Sequence, residues 1–149
     1  MTHASEIRRK RQRGNAVIEF ALGSTLLFLL LGGVSDFARL FYYANIVSNS
    51  AHAGIQLGMY NASAPDLTAM QTAALAEPGS LTGLTANASK YCQCAGTTGT
   101  VSCTSTCTGG TTPQMYLQVT TSYPFNTVVT WPSIPSTVNV SYTATARVQ

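Results

Sequence analysis

The chain has 149 residues, 45% hydrophobic and only 9% charged, where a soluble domain carries about a quarter charged residues. Five of its eight basic residues (Arg8, Arg9, Lys10, Arg11 and Arg13) precede Gly14, and beyond Gly14 three basic residues face four acids. The length suits one domain, and the basic pI belongs to a short tail, which excludes the remainder as an electrostatic nucleic-acid surface.

From Ala16 to Val34 runs an apolar stretch whose single charge is Glu19. A helix needs about 20 apolar residues to cross the hydrocarbon core. The basic cluster just before it predicts a cytoplasmic N-terminus and a C-terminal portion outside. A buried core helix is the competing reading, but a chain this small has little with which to cover a helix on every side. Two processed forms compete with a plain anchor. A conventional secretory signal would end in the small residues Gly33-Val34-Ser35 and leave Asp36 first. Cleavage after Gly14 would instead make Asn15 the new N-terminus and keep the helix.

The leader RQRG, followed by NAVIEFAL, the apolar run and SDFARLFYYANIVSNSAHAGIQLG (residues 35–58), resembles the TadE-like subgroup of type IV prepilins of the tight-adherence (Tad) pilus. The resemblance covers residues 8–58. Asn15 departs from the small apolar residue typical after the glycine. The resemblance implies that a membrane prepilin peptidase cuts the Gly14–Asn15 bond at the cytoplasmic face, where glycine offers no side chain and a permissive backbone. The new α-amino group is largely protonated at neutral pH. An acid in a membrane segment is costly and calls for a partner. Glu19 is therefore expected to accept an N-terminal amine, in a filament that of the neighbouring subunit. The alternative is that Glu19 snorkels to the headgroups and gains from the positive helix end.

The helix is expected to continue past the membrane to about Met59, roughly 67 Å in all at 1.5 Å per residue. Phe37, Phe41, Ala44, Ser48, Ala51 and Ile55 recur at steps of four and three. Packing of this seam against a head is the favoured reading, and an interface with other subunits the second. Asp36 and Arg39, three apart, can form an ion pair. Gly32-Gly33 is a candidate kink. His52 has no cysteine or acid nearby in sequence and reads as a surface or packing residue.

Turn formers at Asn61–Pro65 end the pattern. Pro65 suits the first turn of a second helix, with Asp66 at its positive end. Leu67, Met70, Ala74 and Leu75 share a face, and Glu77-Pro78-Gly79-Ser80 stops the run. A short helix is predicted over Thr85–Tyr91. Beyond Met115 the period becomes two, predicting strands over 116–123 and 138–148. These are expected to pair antiparallel with one face on the long helix, because two strands alone are marginal. Residues 125–131 read as a loop with a short strand.

All four cysteines fall in the Thr/Gly-rich stretch 92–107. Cys-x-Cys spacing is too short for the usual zinc knuckle, and an exported segment favours disulfides. Bridging adjacent cysteines is strained. Of the two remaining pairings, the nested one (Cys92–Cys107 with Cys94–Cys103) is favoured over the crossed one, because it suits a hairpin turning at Gly96–Gly99.

The predicted architecture is α+β. A basic leader (1–14) precedes a transmembrane segment (15–35), its extracytoplasmic continuation (36–60) and a disulfide-stapled head (61–149) with an antiparallel sheet. No metal site, cofactor or catalytic constellation is legible, so an enzyme is not expected. The predicted function is that of a minor pilin-like subunit, needed for or incorporated into a Tad pilus for adhesion. Its partners would be the bacterial inner membrane, the prepilin peptidase, other pilin-like subunits and the Tad assembly machinery. An unprocessed anchored module is the alternative, with its binding surface in the Cys loop or an aromatic strand face (Tyr116, Tyr123, Trp131, Tyr142). A major pilin is a further variant.

Overall fold

The computed structural model describes the backbone of residues 3–76, 81–130 and 132–148, with side chains from Asn15 onward within those ranges. The element order is α1 (His3–Tyr60), α2 (Leu67–Ala76), β1 (Thr85–Gln93), β2 (Thr100–Val101), β3 (Gln114–Asn126) and β4 (Thr137–Arg147). The strands form one antiparallel sheet in the order β2-β1-β3-β4. The fold is α+β, with two disulfides and, among the described residues, one helix long and apolar enough to cross a membrane, over Asn15–Tyr60.

The second half of α1 is the spine of the core. Val47, Ala51 and Ile55 are buried, and Gly54 and Gly58 lie on the same side. Against this stripe pack Met70 and Ala74 of α2, Ala88 of β1, Leu117 and Val119 of β3, and Ala144 of β4. Leu117, Val119 and Thr121 are buried at every second position of β3, as a strand with one face on a helix requires. The two glycines make close approach possible. A Cβ on Gly54 would lie 2.8 Å from the Met70 carbonyl oxygen, and one on Gly58 would lie 2.7 Å from the Met70 sulfur.

Local signals explain several boundaries. Asp66 is the N-cap of α2: its Oδ1 accepts from the backbone N–H of Thr68 (2.9 Å) and Ala69 (3.1 Å), satisfying donors that the first turn leaves free. Pro65 thus precedes the cap and is not in the first turn. The stop signal Glu77–Ser80 lies outside the described residues. β3 runs on through Pro124 to Asn126, further than the periodicity indicated. Beyond Ser122 only β4 pairs with it, so a residue lacking an N–H is tolerated on the open side.

Two expectations are corrected. Residues 85–91 are not a helix but most of β1, paired with β3 from Thr85↔Ser122 to Gln93↔Gln114; a long partner strand overrides the weak helical preference of Ala and Lys. Phe37 and Phe41 do not pack the head. They are exposed, their rings 5.5 Å apart. The buried stripe keeps Ala51 and Ile55 but passes through Asp36 and Val47, one residue off the predicted seam. α1 is helical without a break through Gly32-Gly33.

The disulfide pairing is also corrected. Cys92 is bonded to Cys103 and Cys94 to Cys107, with Cα–Cα distances of 5.1 and 5.6 Å. The ladder aligns Cys92 with Val101. Cys103, two residues further on, therefore lies on the Cys92 side of the hairpin. Cys94 is already in the turn: its carbonyl accepts from the N–H (3.1 Å) and hydroxyl (2.9 Å) of Thr97, and Gly96 takes φ +78°. The hairpin thus turns nearer Cys94 than nested pairing demands. A second turn, Ser105 N–H to the Ser102 carbonyl, follows before Cys107.

Candidate functional site

The candidate surface is α1 itself and the point where the head grips it. From Asn15 to Leu31 almost every residue is exposed, including Val17, Ile18, Phe20, Leu22, Leu26 and Phe28. An apolar helix with no protein cover is what a membrane or a bundle of similar helices requires. Glu19 is exposed among these residues, and its carboxylate forms no hydrogen bond or ion pair with another described residue. Asn15 is exposed four positions before it. The basic residues Arg8, Arg9, Lys10, Arg11 and Arg13, with Gly14, lie outside the residues whose side chains are described.

At the far end of the apolar run stands Asp36, 6% exposed. Its Oδ1 accepts from the Val128 N–H at 3.0 Å and its Oδ2 from the Val129 N–H at 3.1 Å. Arg39 Nη1 stands 3.4 Å from Oδ1. The Arg39 guanidinium also lies 5.4 Å from the centre of the Phe125 ring, a cation–π distance. The carboxylate therefore has two backbone amides and a cation in place of water, which offsets the cost of its burial. Val129 rests on Gly32, its methyl 3.2 Å from where a Cβ would stand. The Asp36–Arg39 pair follows from spacing. The clasp of Asp36 on a loop 92 residues away does not, and no sequence signal marks it.

Two turns beyond Asp36, Tyr43 stacks on Tyr123 (4.8 Å) and lies 5.8 Å from Phe125. Burial raises the pKa of the Tyr123 phenol, neighbouring Tyr43 adds to the rise and Arg39 opposes it. His52 is close to Tyr142, with Nε2 3.2 Å from the hydroxyl. The aromatic residues do not form one strand face. Tyr123 and Tyr142 turn toward α1, whereas Tyr116 stacks on Tyr91 at 5.4 Å. Trp131 lies outside the described residues. Among the described residues no group of three or more His, Cys, Asp or Glu side chains is placed to hold a metal.

Residues 14–56 match the family described as TadE-like protein. The TadE-like match begins at Gly14, runs through Glu19 and Asp36, and stops within the helix, before α2 and the sheet. It points to a Tad pilus-associated protein, and the helix to a single-pass membrane anchor. No curated protein and no solved structure matches the chain.

Proposed function

We propose that this chain is a minor pilin-like subunit of a Tad pilus. The observation that carries the reading is the TadE-like match beginning at Gly14, followed by an uncovered apolar helix with one acid, Glu19, near its start. On this reading residues 1–14 are a leader retained in the cytoplasm, 15–35 cross the inner membrane, and 36–60 continue outside it and carry the head, 61–149. A prepilin peptidase cuts Gly14–Asn15. Glu19 then accepts the α-ammonium group of the adjacent subunit, which neutralises two charges in lipid and registers one helix against the next. The subunit's role is structural: it supports assembly of the pilus or enters the fibre used for adhesion.

The N-terminal residue, determined by intact mass and terminal sequencing on membranes and sheared surface material, tests this. Asn15 is expected, and is lost when the prepilin peptidase is deleted. Met1 would mean an unprocessed anchored module. Asp36 would mean that the apolar run was a secretory signal.

A further inference from the structure

The described residues of the segment between β3 and β4, 127–130 and 132–136, lie back along α1 toward the membrane side. Its Val129 contacts Gly32, and Ile134 and Phe125 face Leu26, Leu29, Leu30 and Val34 across an open apolar groove of about 790 Å³. The segment thus runs beside residues 26–34, about 12 Å of helix at 1.5 Å per residue. Those residues are the outer part of the apolar run. Val128 is 73% exposed and Ile134 52% exposed. No charged residue occurs from Thr127 to Val138.

We propose that this loop is a lipid-contacting element, seated in the outer leaflet of the membrane at the lipid–water interface, with an acyl chain in the groove. The inference rests on reading α1 as a membrane anchor. Lipid is favoured as the occupant because the groove wall is continuous with the uncovered helix face that would span the bilayer. The polar groups of the loop also fit such a place. Backbone amides in a poorly hydrated region need partners within the protein. Asp36 takes the N–H of Val128 and of Val129, and Thr127 and Ser136 pair through N–H to carbonyl at 3.0 Å. The carboxylate that closes the clasp is itself balanced by Arg39. Asp36 therefore holds an apolar loop at a fixed height on the anchor and sets how deeply the head rests on the membrane.

The test uses the full chain, oxidised, in phosphatidylcholine–phosphatidylglycerol vesicles. Single cysteines replacing Val128, Ile134 or Asn61 carry an environment-sensitive fluorophore, and lipids with nitroxides at known depths act as quenchers. Asn61, at the far end of α1, is the reference. Quenching at 128 and 134 several-fold above that at 61, strongest with the shallow nitroxide, is expected. Asp36→Asn in the same background should lower quenching at 128 toward the reference. Equal quenching at all three positions, in protein that floats with the vesicles, overturns the proposal and leaves the anchor standing. So does shielding at 128 that grows with protein-to-lipid ratio but ignores the quencher, which would mark a second copy. Failure to float with vesicles overturns the anchor and this inference together.

Discussion

Thr121 donates its hydroxyl to the Val47 carbonyl at 2.7 Å, a hydrogen bond from the middle of the sheet into the second half of α1. Both residues are fully buried. The bond ties β3 to the helix at one height, where apolar contacts alone would tolerate sliding. Thr121→Val keeps the shape and removes the donor. It should cost about 1 kcal/mol, the usual net worth of such a bond, seen as a lowered midpoint when the full chain is melted in mild detergent. Thr121→Ala also opens a small cavity and should cost more.

Gly54 should not tolerate a methyl group. Alanine there meets backbone, the Met70 carbonyl oxygen at 2.8 Å, as well as Ala74 and Val119 at 3.2 Å. The roughly 1 kcal/mol that alanine ordinarily gains over glycine inside a helix should be outweighed by overpacking of about 1–3 kcal/mol. At Gly58 the nearest atoms are the flexible end of Met70 and a Leu117 methyl. Gly58→Ala should therefore be the milder change, and Gly58→Ala with Met70→Ala milder than the sum of the two single changes. Chemical denaturation of the four proteins measures the coupling.

The crossed bridges can be read by proteolysis without reduction, followed by mass spectrometry of the linked peptides. Cys92 should be recovered with Cys103, and Cys94 with Cys107. Removing one bridge by replacing both its cysteines with serine should lower stability by about 2–4 kcal/mol and leave the other bridge intact. The double replacement Cys92→Ser with Cys107→Ser removes one partner from each bridge. It should be at least as destabilising, because the remaining pair, Cys94 and Cys103, is out of register with the β1–β2 ladder.

If Glu19 receives a neighbour's N-terminal amine, Glu19→Gln removes the charge but not the shape. Processing at Gly14–Asn15 should proceed as in the unaltered protein. Recovery of the subunit in sheared pili should fall at least tenfold, as immunoblots of membrane and pilus fractions would show. Undiminished recovery in pili would reject the role given to Glu19.

How much was legible follows from the range of each signal. The apolar run Ala16–Val34 and the alternation of β3 and β4 are local, and the structure carries both. Thr85–Tyr91 reads as a helix because TANASKY offers no clear alternation; its strand state comes from thirteen-residue β3 lying alongside. The bridges escape the sequence for a related reason. Four cysteines fix that pairing occurs, but the ladder register, set by a turn at Cys94, selects the partners. Phe37 and Phe41 obeyed a helical period, and an error of one residue rotates a helical face by 100°, enough to exchange a buried stripe for an exposed one. Asp36 shows the limit most clearly, since its amide partners are separated from it by most of the chain.

The grip of the head on α1 extends from Asp36 to Gly58 along the side of the helix, about 33 Å at 1.5 Å per residue. A tug along the helix axis therefore shears the clasp, the Thr121 bond and the apolar core together instead of peeling them one after another. Contacts loaded in parallel share the force. The head is mounted like a splint along a rod, and its resistance to axial tension should far exceed its resistance to a sideways pull that opens one end first.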